Sequence, residues 1–414
     1  MTVPQVSRRM LTAGAIALSL PSIVTRRSIF PQNRLDDDDA FEKWVHQNVG
    51  ANHQLIVPFD PYPLSITRPI NIPAGLDIVF MRDIDGTPRG ELLCDGDCAI
   101  RFYGSSNQNV CLHLLRGHII VQGMKYRGDF HQAAIFIEGQ GVFDSILIED
   151  IFVENANFGI LRQGEFSRMK GATIRRAKFH NLKGDAIEWN ICPNDTKMVF
   201  EDIDIDTIND PQGRGNWGIG LGLAGLTFDP KWDRLNYVKQ FVIRRITGRR
   251  VRQLIHIEAG ADFIISDIMG DKISQEFSSK SNMPSGVICC YGCDNFTIEN
   301  VNSDGDILLM AGVIAAQYVV PSANFAVKHV NIRSGNIITE MGGRDSYAKF
   351  TNVVLNNGKV ELFGAVKNLT MADVAIVGGK GAQLTEAAEF LTGNLKNFMP
   401  EKQNRVIRRV TLSP

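Results

Sequence analysis

The chain has 414 residues, long enough for two or three ordinary domains, and its 44 Lys and Arg nearly balance its 45 Asp and Glu. A net charge near zero creates no field that attracts nucleic acid or an anionic membrane, so the composition predicts neither partner. The seven cysteines are an odd number and do not form a disulfide framework, although Cys94 and Cys98 could pair across a turn.

The N-terminus combines two arginines with a short apolar segment. Arg8 and Arg9 precede an apolar stretch, residues 10–24, that is too short and too interrupted for a stable membrane span. This pattern resembles a twin-arginine export signal, and a disordered basic tail is the alternative. We therefore expect residues 1–30 to direct the protein to the periplasm. No Ala-x-Ala site follows, so an uncleaved, membrane-tethered form stays open.

An amphipathic segment comes next. The aspartates at 36–39 favour a helix N-terminus, and Phe41, Trp44 and Val45 then share one helical face before Gly50. We expect this helix to cap the apolar end of the structure that follows, because such an end must be shielded from water.

A short pattern then recurs from Ile146 to about Val374, with a period of roughly 22 to 30 residues and one longer insertion. Units such as "SILIEDIFVENANFGILRQ" and "GATIRRAKFHNLKGDAIEWN" contain strands of alternating apolar and polar residues, separated by Asn, Gly or Asp turns. Stacked coils would bury the inward side chains in one continuous core. The pattern predicts an all-β parallel solenoid over residues 31–378, including its N-terminal cap, and a C-terminal cap or tail over residues 379–414.

Outward residues of stacked coils form columns, and four of the strands can be aligned. These strands are Gly159–Gln163, Ala186–Asn190, Gly218–Gly222 and Leu254–Glu258. With a period of two, Glu188, Gly220 and His256 are predicted to share one outward column. The neighbouring outward column is predicted to hold Gln163, Asn190, Gly222 and Glu258.

A glycine-floored gap between acidic and basic side chains suits a sugar ring. We interpret Glu188 and Glu258 as a general acid and base, with His256 assisting proton transfer and Asp185 beside Glu188. Their wide separation fits an inverting glycosidase better than a retaining one. The alternative is that these residues are merely solvated, or pair with Lys and Arg on adjacent coils.

Seven residues are candidates for substrate binding around this gap: Arg162, Gln163, Asn190, Trp217, Gly220, Gly222 and Arg252. Trp217 could stack on a sugar face, and Arg162 could contact a carboxylate. Trp189 has inward parity, which favours a place in the core.

The sequence predicts no cofactor and no metal site. Cys289, Cys290 and Cys293 fall in an apolar strand, which favours buried thiols over a zinc site. The motifs of serine hydrolases, kinases, dehydrogenases and zinc proteases are absent from the sequence.

The blocks "ANFGILRQG", "NLKGDAIEWN", "NWGIGLGLAG", "RQLIHIEAG" and "YGCDNF", behind an N-terminal "SRRMLT", resemble the exported β-helix proteins encoded with the enzymes of colanic acid biosynthesis. The resemblance implies a right-handed parallel β-helix of the pectin-lyase-like kind. It also implies a periplasmic role in making, trimming or releasing an acidic bacterial exopolysaccharide, the expected partner. A glycoside hydrolase, a polysaccharide lyase and a non-catalytic binding or assembly factor all stay open, as does the oligomeric state.

Overall fold

The computed structural model describes residues 54–57, 64–66, 70–72, 77–80, 92–94, 98–104, 109–110, 113–120, 133–208, 217–225, 237–278, 281, 283–314, 318–342, 346–364 and 368–377. All of them belong to one compact unit, Asp36–Pro414. The predicted export signal, the N-terminal capping helix and the C-terminal cap lie outside the described residues. The proposed segment boundaries therefore stay predictions.

The described secondary structure consists of strands and one short 3-10 helix, Gln275–Ser278. The strands are β1 (Gln54–Val57), β2 (Leu64–Ile66), β3 (Ile70–Ile72), β4 (Asp77–Phe80), β5 (Leu92–Cys94), β6 (Cys98–Gly104), β7 (Asn109–Val110), β8 (His113–Ile120), β9 (Ala133–Gly139), β10 (Gly141–Phe143), β11 (Ile146–Glu154), β12 (Phe158–Gln163), β13 (Ser167–Met169), β14 (Ala172–Leu182), β15 (Ile187–Asn190), β16 (Met198–Ile208), β17 (Ile219–Ala224), β18 (Val238–Val251), β19 (Gln253–Glu258), β20 (Gly260–Ile273), β21 (Gly286–Tyr291), β22 (Asp294–Ser303), β23 (Ile307–Met310), β24 (Gly312–Ile314), β25 (Tyr318–Val320), β26 (Ala323–Ile332), β27 (Ile337–Met341), β28 (Tyr347–Asn356), β29 (Val360–Gly364) and β30 (Asn368–Val377).

Two long parallel sheets are built from these strands. The first sheet has twelve strands in the order β1, β4, β8, β11, β14, β16, β18, β20, β22, β26, β28 and β30. The second sheet has eleven strands in the order β29, β27, β23, β21, β19, β17, β15, β12, β9, β6 and β3. Because successive coils each add one strand to both sheets, the prediction of an all-β, right-handed parallel β-helix is confirmed.

The core lies between the sheets and consists of stacked identical or similar side chains. From the first sheet, Phe241, Phe263 and Phe296 stack with ring centroids 4.5 Å and then 4.9 Å apart. In the second sheet, Leu221 pairs with Ile187 on one side and with Ile255 on the other, and all three side chains lie in the core. Each coil thus buries the apolar face of its neighbours, which a single coil could not do alone.

A bend inside the first sheet is formed by non-glycine residues in the left-handed conformation. Asp150, Arg176, Asp202, Arg245 and Asp267 occupy one position of successive coils, with φ between 50° and 57°. Arg176 Nε donates to Asp150 at 2.6 Å, and Arg245 Nε donates to Asp202 at 2.6 Å. Asp150 and Asp202 therefore form ion pairs between coils.

The thiols of Cys192, Cys289, Cys290 and Cys293 are free and buried, and Cys98 is buried as well. The possible pairing of Cys94 with Cys98 involves a side chain outside the described residues and stays a prediction. Among the described residues, no helix has the length and apolar character required to cross a membrane.

Candidate functional site

The outer face of the second sheet brings two of the predicted residues into one column. Glu188 pairs with Gly222, and Gly222 pairs with His256 on the next strand. The prediction that Glu188 and His256 share a column two coils apart is confirmed. The prediction that Gly220 lies between them is wrong, because β17 is shifted by two residues and Gly222 takes that place.

Gly220 faces the interior instead. A Cβ at this position would lie 2.6 Å from the backbone oxygen of Leu254 and 3.1 Å from Ile205 Cδ1, which is a core atom. The preceding coil shows the same arrangement, because the consecutive residues Ala186 and Ile187 both lie in the core. Two consecutive inward residues break the period-two pattern, and Gly220 is therefore a packing residue rather than part of a sugar site.

The neighbouring outward column also differs in one member. Asn190 Nδ2 donates to Gln163 Oε1 at 3.4 Å, so these two residues are neighbours as predicted. Ala224, and not Gly222, pairs with Glu258 on the next strand. Tyr291 follows Glu258 in the same column. Tyr291 was not among the predicted site residues.

The Glu188 carboxylate extends over Gly222. A Cβ on Gly222 would clash with Glu188 Oε2, so glycine is required for this position of the carboxylate. Oε2 is buried and has no hydrogen-bond partner among the described residues. Burial, followed by the negative charges of Asp185 and Glu258, raises the pKa of Glu188 well above its ordinary value. Glu188 is thus favoured as a neutral carboxylic acid.

His256 is held from both sides. Its Nδ1 lies 2.5 Å from Gln253 Oε1, and its Nε2 lies 2.8 Å from Glu258 Oε1. Gln253 Nε2 donates to the carbonyl oxygen of Pro284 at 2.6 Å, which turns Oε1 of the amide towards the imidazole. Nδ1 must therefore donate its hydrogen to Gln253, and Nε2 faces the carboxylate.

The pKa of Glu258 is shifted in the opposite direction to that of Glu188. Burial raises the pKa of Glu258, but the hydrogen bond from His256 and the charge of His256 outweigh burial and lower it overall. Glu258 is thus favoured as a carboxylate that can accept a proton. We refer to Asp185, Glu188, Gln253, His256 and Glu258 as the carboxylate–histidine cluster.

Asp185 and Tyr291 border this cluster. Asp185 is buried, and its Oδ1 accepts a hydrogen bond from the backbone N–H of Ile219 at 2.7 Å. The Tyr291 ring centroid lies 5.1 Å from that of His256, and its hydroxyl accepts a hydrogen bond from Gln253 Nε2 at 3.3 Å. Burial raises the pKa of Tyr291, which keeps its hydroxyl protonated.

Arg162 does not face a substrate, and its predicted contact is corrected. The side chain has no exposed surface. Its Nε and Nη2 each donate a hydrogen bond to Asp195 at 3.2 Å, which compensates the buried charge. Trp189 Nε1 donates to the same carboxylate at 2.9 Å, which confirms the predicted place of Trp189 in the core. Asp195, which the sequence did not single out, joins these groups into a buried structural cluster.

Arg252 and Trp217 are also buried rather than exposed at the site. Arg252 Nε donates to the backbone oxygen of Trp217 at 2.8 Å, and Nη1 donates to Pro284 O at 3.2 Å. Burial lowers the pKa of Arg252. The Trp217 ring is 7% exposed and meets Phe158 edge-on at 5.4 Å. Both residues support the sheet from within, and the predicted sugar contacts at Arg252 and Trp217 are corrected.

The cysteines near the site behave as apolar side chains. Cys289 pairs with His256 in the outer column and is fully buried, and burial raises its thiol pKa. Among the described residues, no three His, Cys, Asp or Glu side chains lie close enough together to hold a metal ion.

Comparisons with known proteins place this geometry in context. The model of the family "Colanic acid biosynthesis WcaM" matches residues 4–392. The colanic acid biosynthesis protein WcaM of Salmonella typhimurium is 32% identical over 390 residues, which cover 89% of this chain and 83% of that protein. Its counterpart from Shigella flexneri is 31% identical over 388 residues, covering 90% of this chain and 83% of that protein.

The solved structures support the fold. A variant of the catalytic domain of GH87 α-1,3-glucanase, in complex with nigerose, matches with a TM-score of 0.51 at 13% identity. The match covers 85% of this chain and 66% of that chain. At this identity the likeness is one of fold alone.

Proposed function

Because the chain belongs to the WcaM family of colanic acid biosynthesis proteins, we propose that it binds an acidic exopolysaccharide and cleaves it at the carboxylate–histidine cluster. One observation carries the catalytic part of this proposal. Glu188 and Glu258 lie on the outer face of the second sheet two coils apart, and their surroundings shift their pKa values in opposite directions. Pairs of carboxyl groups with separated pKa values are the usual arrangement for acid and base roles.

The roles follow from where the protons lie. The raised pKa of Glu188 favours its protonated form, which can donate a proton to the oxygen of the bond that breaks. Glu258 holds its negative charge beside His256 and can accept a proton on the other side of the reaction. Asp185 raises the pKa of Glu188 through its charge and stabilises the strand start at Ile219, so it supports the acid without touching the polymer.

A non-catalytic binding or assembly protein is the second candidate. His256 favours it, because the side chain is only 9% exposed and both ring nitrogens are hydrogen-bonded within the protein. A histidine in this position could serve only to order the outer face of the sheet.

Incubation of the purified protein with colanic acid separates the two candidates. We expect new reducing ends or unsaturated sugar products from the wild type, and none from Glu188→Gln, which should still bind the polymer. Glu165→Gln changes an exposed carboxylate in the turn after β12 and serves as the control. Full activity in Glu188→Gln would remove the acid role, and binding without product in the wild type would favour a binding protein.

Export is part of the same proposal. Residues 1–30, with Arg8 and Arg9, would direct the folded chain to the periplasm, where an exopolysaccharide is accessible. A reporter fused to this segment should be exported in normal cells and retained in cells that lack the twin-arginine translocase. Export of an Arg8→Lys/Arg9→Lys double variant at the normal level would contradict this.

A further inference from the structure

The charge of the second sheet's outer face restricts which sugar can occupy the cluster. The strands from β9 to β23 in this sheet contain a single Lys or Arg, Arg162, and it points inward with no exposed surface. Arg252, which precedes β19, is also fully buried and donates to backbone oxygens. These strands therefore offer no exposed Lys or Arg to pair with the carboxylate of a uronic acid.

The same face carries negative charge. Glu258 is favoured as a carboxylate, and the buried Asp185 adds its negative charge beside the neutral Glu188, within three successive coils. A uronate placed between Glu188 and Glu258 would bring a further carboxylate against the charged Glu258 and near Asp185, and like charges in contact oppose binding strongly. An uncharged sugar has hydroxyl groups that can donate to Glu258 and accept from Glu188.

The sugar's charge also decides the reaction. Elimination from a uronate removes the proton beside its carboxylate, and the negative charge that develops there needs a nearby cationic or metal partner. An uncharged sugar lacks that carboxylate, so its C5 proton is not acidic. In hydrolysis, the bond between the anomeric carbon and the glycosidic oxygen breaks while Glu188 donates its proton to that oxygen. Water adds to the anomeric carbon and gives its proton to the Glu258–His256 pair.

We propose that the position between Glu188 and Glu258 takes an uncharged sugar of the acidic polymer, and that cleavage is hydrolysis rather than elimination. This rests on the proposed function, since it presumes that the cluster cleaves polysaccharide. The acidic residues of the polymer then bind outside the position where the bond breaks.

The test compares colanic acid with a derivative in which its uronic acids have been chemically reduced to neutral sugars. Products are followed by reducing-end labelling with borodeuteride, by identification of the labelled sugar, and by the ultraviolet absorbance of unsaturated uronates. Each reaction is run with EDTA and with added calcium. We expect comparable cleavage of both polymers, a neutral sugar at every new reducing end, and no unsaturated product.

The other outcomes separate this inference from the proposed function. An unsaturated product, a uronic acid at the new reducing end, or loss of cleavage on the reduced polymer would overturn the inference, while polysaccharide cleavage would stand. Cleavage of neither polymer would overturn the proposed catalytic function and this inference with it. Glu165→Gln is again the matched control, and it should cleave both polymers like the wild type.

Discussion

Replacing Glu188 with Gln should stabilise the protein increasingly as the pH rises above about 4.3, the ordinary pKa of a glutamate. In the folded protein, burial, Asp185 and Glu258 keep Glu188 protonated above that pH, whereas the unfolded chain releases the proton. Stability then falls with pH by up to about 1.4 kcal/mol per pH unit from this group. The fall ends at the folded-state pKa, beyond which the loss is constant. Gln does not titrate and avoids this loss.

Urea unfolding followed by circular dichroism from pH 4 to pH 9 measures this effect. The difference between the midpoints of Glu188→Gln and wild type should be small near pH 4 and widen towards neutral pH. Glu165→Gln, in an exposed turn, should give a nearly constant difference. If the wild type instead gained stability relative to Glu188→Gln as the pH rose, Glu188 would be an ionised, stabilised carboxylate. Its assignment as a general acid would then be refuted.

Three further substitutions test the register and the buried charges. Gly222→Ala should leave the unfolding midpoint nearly unchanged, because its methyl group meets the end of the Glu188 side chain, but it should reduce cleavage. Gly220→Ala should cost about 1–3 kcal/mol, because its methyl group meets backbone in a packed core; equal stability of the two variants would contradict the register. Arg162→Met should cost about 3–5 kcal/mol, since it leaves the Asp195 carboxylate buried without its counter-charge. A stable Arg162→Met variant with weakened polymer binding would instead support a substrate contact there.

The fold could be predicted from the sequence because its signal is repeated in every coil. Alternation in "SILIEDIFVENANFGILRQ" and its later counterparts predicts strands with one buried face, and the recurrence of the pattern predicts stacking. Parity placed Ile187 and Trp189 in the core and Glu188 outside, as the structure does. Repetition thus gives many independent observations of a single pattern.

The register of β17 could not be predicted, because "GIGLGLAG" has glycines at three alternate positions, 218, 220 and 222, and fits in more than one way. Ala186 and Ile187 both lie in the core, and so do Leu254 and Ile255. The alternation of inward and outward side chains is therefore offset by one residue at the start of each strand. Gln253 was missed for the same reason, since strict alternation from His256 places it inside. The placing of two consecutive side chains in the core is determined by packing between coils and not by the local sequence.

The buried charges were missed because their partners are distant in the sequence. Arg162 and Asp195 are separated by 33 residues, and Asp195 lies in a turn after β15 that shows no alternation of its own. An arginine at inward parity is a signal that a buried acid must exist, because an unpaired guanidinium would not be tolerated there. That signal indicates a partner but does not identify it.

One backbone oxygen determines which groups donate and which accept hydrogen bonds in the carboxylate–histidine cluster. Pro284 O accepts from Gln253 Nε2, so Gln253 Oε1 faces His256 and its Nδ1 must donate. Nε2 and Glu258 Oε1, 2.8 Å apart, then share a single proton, and Oε2 of Glu258 is the oxygen that can take another. Glu188 has the reverse character, since its raised pKa favours the protonated carboxyl and its buried Oε2 lacks a hydrogen-bond partner among the described residues. Under the proposed function, these directions make Glu188 the proton donor and Glu258 the proton acceptor, which is the division of roles that hydrolysis of a glycosidic bond requires.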